Sequence, residues 1–324
     1  MRDNIRTQII QVLANNGDMF ISGQELSNRL HVSRTAIWKH MKELEKDGYI
    51  FEALPRKGYR LISKPSSMNE TSLKWDLGTN WLGHELVYKE IVTSTQDIAH
   101  ELAHNGAANG TVVIANEQTK GRGRMQRTWH SQPDGGIWMS VILRPDIPPH
   151  QASQLTLFTA ISIVETLQQF FDLPFKIKWP NDIFVEDKKI AGILTEMKGE
   201  LDTIDYMIVG IGINVNQSMN DFSEELQQKA SSLAIESNKH TDRLPLVQQL
   251  LRCFETSYDT YQQRGFALIK EKWLNYAYKL GESVQIKMPN KEFQGRICGI
   301  SDDGALLVQY IGEDIKIYSA EILW

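Results

Sequence analysis

Within the first 64 residues the hydrophobic pattern changes period, and that change limits the fold more than any other feature of the chain. Ile5, Ile9 and Leu13 recur every fourth residue, the spacing of one helical face, and the stripe ends at Asn15-Asn16-Gly17. Ser22-Gly23-Gln24-Glu25 reads as a capping box that opens a second short helix carrying Leu26 and Leu30. Ser33 is placed to cap a third, whose inner stripe is Ile37, Met41 and Leu44. Arg34, Thr35, Trp38, Lys39 and Lys42 fall on its opposite side. The pattern then becomes that of paired strands, residues 49–54 and 59–62, around a tip of Pro55-Arg56-Lys57-Gly58. Three short helices and a basic hairpin predict a winged helix-turn-helix over residues 1–64. It would present Ser33, Arg34, Thr35, Trp38, Lys39 and Lys42 to a DNA major groove, and Arg56 and Lys57 to phosphates or the minor groove. The plainer alternative is a small helical module with a solvated basic face.

Charge supports the DNA reading. The chain carries a net charge of -5, yet residues 1–64 hold eleven Lys and Arg against seven Asp and Glu, a net +4, leaving -9 for the rest. Such asymmetry confines a nucleic-acid contact to the N-terminal part. One winged helix reads one half-site, so sequence-specific binding calls for a dimer.

At 324 residues the chain exceeds one ordinary core, and two or three domains are expected. Its 41% hydrophobic and 23% charged residues exclude disorder for most of its length. Cys253 and Cys298 have neither metal nor redox spacing, which fits a reducing compartment. Residues 1–17 lack the apolar core of a secretory signal, and no window reaches the length of a membrane span, so a cytoplasmic protein with no membrane partner is expected.

Residues 63–71 are polar, without apolar periodicity, and read as a linker; residues 73–82 read as a helix or turn packing onto the next domain. From residue 86 onward strand and helix patterns alternate. Strands are predicted at 86–91, 111–115, 137–143, 175–179, 183–185, 190–196 and 206–215, with helices at 95–105 and 150–171. This is a mixed α/β domain with a large sheet and one long covering helix. Gly210-Ile211-Gly212-Ile213-Asn214 lacks the third glycine and following helix of a dinucleotide site, so those glycines are expected to let a ligand approach the sheet. Two helices at 244–261 and 266–276 precede strands at 283–288, 292–300, 305–309 and 315–318. Turn chemistry at Pro289-Asn290-Lys291 and Asp302-Asp303-Gly304 completes a predicted small barrel of the SH3 type.

Two clusters carry chemistry. Gly121-Arg122-Gly123-Arg124 alternates a permissive backbone with guanidinium forks that suit carboxylates and phosphates. Lys178-Trp179-Pro180-Asn181-Asp182 and Lys189-Ile190-Ala191-Gly192 add lysines, an amide and a carboxylate. Taken singly, each has a bland explanation: a solvated loop, a turn, a surface charge, or, for Ser94-Thr95-Gln96, a helix N-cap.

With these motifs in this order, together with Glu117-Gln118 and the N-terminal helix-turn-helix, the whole chain resembles the bacterial family of bifunctional biotin–protein ligases and biotin operon repressors. The resemblance implies that biotin and MgATP give biotinyl-5′-adenylate, whose biotinyl group passes to a lysine of a biotin carboxyl carrier protein domain. It further implies a homodimer, formed with that adenylate as corepressor, on operator DNA. By the family's motifs, Ser94, Thr95, Gln96, Gln118, Gly121, Arg122, Gly123, Arg124, Lys189, Gly192 and Gly210 would bind biotin. Arg127, Trp129, Lys178, Asn181, Asn214 and Phe222 would contact the nucleotide. Lys189, Arg124, Arg122, Lys178 and Asp182 would serve catalysis, with Asp182 the candidate magnesium ligand. Residues 1–64, 65–275 and 276–324 would be the DNA-binding, ligase and SH3-like parts. Met125-Gln126-Arg127-Thr128-Trp129 departs from relatives that carry a further glycine and more basic residues, and Gln96 stands where some have Asn. Two other functions remain compatible with the residues themselves: a metabolite-sensing repressor without catalysis, and a lipoate-type ligase.

Overall fold

Side-chain caps set the helix starts of the N-terminal unit. The computed structural model describes residues 5–63, 68–200, 202–288 and 291–323, and the chain divides into one unit up to Gly78 and another from Thr79. In the first, α1 (Ile5–Asn15), α2 (Gly23–Leu30) and α3 (Arg34–Lys46) are followed by a hairpin of β1 (Ile50–Leu54) and β2 (Gly58–Ser63). Ser22 Oγ accepts from Glu25 N and Ser33 Oγ from Ala36 N, both at 3.1 Å. The expected box at Ser22 is only half made, because the Glu25 carboxylate pairs with Arg29 at 2.6 Å, one helical turn on. Ile9, Leu13, Leu26, Ile37, Met41 and Leu44 close a common core, as their spacing requires. Gly58, at φ +107°, brings the wing against residue 21: a Cβ there would lie 2.0 Å from Ile21 O. Ile21 and Tyr59 exchange backbone hydrogen bonds at 2.9 and 2.8 Å.

The expected helix or turn at 73–82 is divided differently. α4 (Glu70–Lys74) starts earlier, capped by Asn69, and Trp75 packs on the N-terminal core. Residues 80–82 instead belong to the second unit, where the buried Glu255 carboxylate accepts from the backbone N–H groups of Asn80, Trp81 and Leu82 at 2.7–2.8 Å. Local apolar pattern carried no sign of that long-range anchor. Within the expected linker, residues 64–67 lie outside the described residues; so do Pro289 and Asn290 of the expected turn.

The second unit is built on a seven-stranded sheet: β3 (Leu86–Val92), β4 (Val112–Gln118), β5 (Gly136–Leu143), β6 (Phe175–Lys178), β7 (Asp182–Val185), β8 (Lys188–Gly199) and β9 (Ile204–Asn214). Its order is β3-β4-β5-β9-β8-β7-β6, with only β3 and β4 parallel. α5 (Thr95–His104) crosses between those two and packs Ala99 and Ala103 onto Val113, Ile142 and Ile208. α6 (Ala152–Leu167) is buried around almost its whole circumference, which explains its lack of a polar face. Short α7 (Glu224–Gln227) and α8 (Leu233–Ser237) lead to α9 (Arg243–Arg264) and α10 (Ala267–Tyr276). Phe158 of α6 meets Phe254 and Tyr261 of α9 with centroids 4.9 and 6.1 Å away.

The chain then forms a small antiparallel sheet, as expected, from β10 (Ser283–Met288), β11 (Lys291–Ile300), β12 (Leu306–Tyr310), β13 (Glu313–Ile317) and β14 (Glu321–Leu323) in the order β13-β12-β11-β10-β14. β14 has no counterpart in the sequence reading, because three residues are too few to show a period. Val284, Ile286, Ile297, Val308 and Ile322 face its core. Trp179 Nε1 donates to Gly304 O at 3.2 Å and Gln154 Nε2 to Asp302 O at 2.7 Å, so the Asp302-Asp303-Gly304 turn docks this sheet on the seven-stranded part of the unit.

Candidate functional site

On the N-terminal unit, Arg34, Thr35, Trp38, Lys39 and Lys42 share the exposed side of α3, and Trp38 keeps 55% of its surface in water. Arg56 and Lys57 stand exposed at the hairpin tip, residues 55–57 forming the turn between the paired Leu54 and Gly58.

In the second unit, the Gly-Arg-Gly-Arg segment folds back on itself as a narrow loop. Gly123 N donates to Arg127 O at 2.7 Å and Trp129 N to Gly121 O at 2.9 Å, while Met125 and Gln126 turn with φ of 54° and 58°. Gly121 is obligatory for close approach rather than flexibility: a Cβ would lie 2.4 Å from Trp129 O. The loop lays the Trp129 indole over the sheet where Gly192 of β8 and Gly212 of β9 oppose each other. A Cβ on Gly212 would come within 2.5 Å of the ring. Gly210 gives the same clearance to Gln96, whose Oε1 would be 2.8 Å from a Cβ. In this structure these glycines make room for Trp129 and Gln96, the side chains that lie over the sheet. The Trp129 Nε1–H has no acceptor within the described protein.

Around this floor the predicted cations converge. Lys189 Nζ lies 5.1 Å from the Trp129 ring centroid and 2.7 Å from Asp182 Oδ1, an ion pair whose geometry is off the hydrogen-bond axis. Arg124 Nη1 donates to Asn181 Oδ1 at 3.0 Å, and Asn181 Nδ2 in turn to Ile193 O at 2.8 Å. Burial lowers the Arg124 pKa against the pull of Asp182. Burial, and to a smaller degree Lys189, pushes the Lys178 ammonium down to about 8 although Asp182 opposes the shift. Cations held at such a cost in self-energy are arranged for an anion to come.

Ser94, Thr95 and Gln96 begin α5, Ser94 Oγ accepting from Gln96 N at 3.3 Å. The plain helix-cap reading is therefore true, and the same residues also enter a buried polar chain. Thr95 N donates to Gln118 Oε1 at 2.8 Å; Gln118 Nε2 donates to Ser131 Oγ at 2.8 Å; Thr95 and Ser140 hydroxyls stand 2.8 Å apart; and Ser140 Oγ donates to Gln96 Oε1 at 2.9 Å. Ser131, Ser140 and Glu196 were not picked out by sequence, since a serine or glutamate in a strand, or a serine at an isolated bridge such as Ser131, carries no motif.

Other candidates stand differently. Arg122 is drawn to Asp97 at 2.9 Å and Glu196 at 3.5 Å, and Arg127 to Glu321 of β14 at 2.6 Å. Asn214 is committed inward, its Nδ2 donating to Ser231 O and its Oδ1 accepting from Gln217. Phe222 is buried in the segment after β9. Asp182 is paired with Lys189, and among the described residues no group of three or more His, Cys, Asp or Glu is placed to hold a metal.

Comparison with known proteins gives matches along the whole chain. The model of the Biotin/lipoate A/B protein ligase family matches residues 88–214, an HTH domain matches 5–60, and the Biotin protein ligase C terminal domain matches 279–323. The chain is 47% identical to the Bifunctional ligase/repressor BirA of Bacillus subtilis over 99% of both proteins. It is 30% identical to that of Escherichia coli over 99% of this chain and 100% of the other. Its fold superposes on the Biotin protein ligase from Aquifex aeolicus in complex with biotin and ATP with a TM-score of 0.64 and 32% identity, covering 74% of this chain and 97% of that one. No helix among the described residues is long and apolar enough to cross a membrane.

Proposed function

This chain belongs to the family of the bifunctional ligase/repressor BirA, and from that premise we propose that it biotinylates a carrier protein and represses transcription. The observation that carries the ligase reading is the convergence of Lys189, Lys178, Arg124 and Asp182 beside Trp129 on a glycine floor, with a hydrogen-bonded polar pocket at Thr95, Gln96 and Gln118.

In the first step a carboxylate oxygen of biotin attacks the α-phosphorus of ATP. A C–O–P linkage forms, the bond to the β-phosphate oxygen breaks, and pyrophosphate leaves. Two anions must approach, so fixed positive charge is the principal demand on the protein. Lys189 and Arg124 supply it at the carboxylate and α-phosphate, Lys178 on the nucleotide side, and Arg122 on leaving its carboxylate partners. Asp182 would be the carboxylate to help hold magnesium accompanying the triphosphate, which would offset phosphate charge. In the second step the amine of the carrier lysine attacks the biotinyl carbonyl, the acyl–phosphate bond breaks and AMP leaves; Asp182 is the carboxylate best placed to orient that amine. The Arg/Gly loop and Trp129 cover the adenylate between the steps.

Residues 1–64 are assigned to operator binding, 65–275 to ligation and 276–324 to the C-terminal β part. Biotinyl-5′-adenylate, by ordering the loops around it, favours a homodimer that offers two winged helices to a palindromic operator; linkage then requires the same ligand to raise DNA affinity. Such a protein works in the cytoplasm.

Intact-mass analysis of a biotin carboxyl carrier protein domain incubated with this protein, biotin and MgATP tests the ligase. A gain of one biotinyl group, dependent on every component and absent when the acceptor lysine is replaced by alanine, is expected. No gain with a competent acceptor, while biotin still binds, leaves a sensor-repressor. Modification by lipoate in preference to biotin would reassign the substrate.

A further inference from the structure

Glu196 is the one carboxylate that reaches the polar pocket from β8. Its Oε2 accepts from Gln96 Nε2 at 2.9 Å and lies 3.0 Å from His100 Nε2. A carboxylate only accepts, so it turns the Gln96 amide with nitrogen toward β8 and Oε1 toward Ser140. Ser140 Oγ gives its single proton to Gln96 Oε1 and can only accept from Thr95 Oγ1. Beside this run, the Thr95 N–H donates to Gln118 Oε1, Gln118 Nε2 to Ser131 Oγ, and Ser131 Oγ to Trp129 O at 3.3 Å. Leu194 O accepts from the same Gln96 Nε2 at 3.3 Å and the Thr95 N–H holds Gln118 Oε1 from the other side, so the ionised Glu196, at the shorter distance, reinforces one orientation of Gln96 and, through it, of Ser140.

We infer that Glu196, with His100 beside it, is a positioning residue: it holds the Gln96 amide and the Ser140 hydroxyl in one orientation in the pocket that receives the neutral, hydrogen-bonding head of the carboxylate substrate. This rests on the ligase reading for the identity of that substrate. The second tie of Glu196, to Arg122 at 3.5 Å, acts in the opposite sense, because it restrains a cation the substrate needs. It is the weaker effect, since Arg122 keeps its 2.9 Å pair with Asp97.

The test uses the full chain and measures biotin binding by calorimetry without ATP, alongside steady-state kinetics. Glu196→Gln can offer an N–H to Gln96 and leaves the Gln96 amide held on this side only by its longer bond to Leu194 O. Biotin affinity is expected to fall about tenfold, a size typical of one misoriented buried hydrogen bond. The KM for biotin should rise with it, while the KM for ATP and the kcat stay within about twofold, as for an interaction equal in ground and transition states. Ser140→Ala breaks the next link and should cost a similar factor. The double variant should be no worse than about the worse single one, since both interrupt one chain. Independent, multiplying effects would overturn the inference, as would unchanged affinity in Glu196→Gln; tighter binding would also overturn it and mark Glu196 as a restraint on Arg122. Circular dichroism melting of the unliganded variants guards against simple misfolding, and Glu196→Asp should retain more affinity than Glu196→Gln. Because binding is read without ATP or acceptor, failure of the relay and failure of ligation by the wild type are separate results.

Discussion

The cations of α3 and those around Trp129 are the same residue types put to opposite physical uses. Arg34, Lys39 and Lys42 stand in water on one helical face, where charge is screened and each contact with a phosphate adds a modest, salt-dependent increment. Lys178, Lys189 and Arg124 lie partly buried, near one another and near one carboxylate, where removing water raises the worth of every charge. The difference teaches that a basic run is not a function: exposure makes one cluster an adhesive surface, and desolvation makes the other a site for a reaction.

The contrast is broken most severely at Lys189. Lys189→Ala is expected to slow formation of the adenylate by about a hundredfold or more, the effect of losing one charge from a preorganised anion site; pyrophosphate release measures it. A smaller change would mean that Arg124 and Lys178 suffice. Next in size, Gly58→Ala sets a Cβ 2.0 Å from Ile21 O at a φ of +107°, and should destabilise the N-terminal unit by about 3 kcal/mol. Operator binding in a mobility-shift assay should disappear while carrier biotinylation stays near wild type. If ligation fell equally, the two uses of charge would not be separable.

Gly212→Ala addresses the other region. The new methyl displaces the Trp129 indole, and release of adenylate from the protein, followed by stopped-flow fluorescence, should quicken about tenfold, a shift of one modest contact energy. Unchanged release would show that the indole lies elsewhere once ligand is bound.

Lys178 allows the comparison to be drawn with pH. Its ammonium is held down to about 8 against 10.5 in an unfolded chain, so between those values the unfolded state binds more protons and folding stability rises with pH. Activity needs the charge, so kcat/KM for ATP should fall as pH rises through about 8, and Lys178→Arg should move that limb upward. Smallest is Arg34→Ala: operator affinity should weaken and the dependence of log affinity on log salt should flatten by about one unit if a phosphate contact is lost. Carrier biotinylation should not change.

The N-terminal unit was legible because its signals are local. Ser33 three residues before Ala36 N, and Ile37, Met41 and Leu44 on one stripe, act within a single helix and hold whatever surrounds it. The large sheet was readable strand by strand for the same reason, since β5 and β9 are nearly continuous apolar runs buried on both faces. The short β14 and the division of residues 70–82 were not, because each is decided by a partner far away in sequence, Leu323 beside Gln285 and residues 80–82 on Glu255.

The site divides in the same way. By itself the sequence determined the longer elements, the two basic clusters and, through motif order, the family, because residue type and spacing fix local conformation and chemical capacity. Only the tertiary structure decided that Trp129 lies over Gly192 and Gly212, that Arg122 turns to Asp97 and Glu196, and that Glu196 heads the polar chain through Gln96 and Ser140. These are matches of shape and proton direction between distant strands and a loop, and a hydrogen bond's direction exists only once both partners are in place.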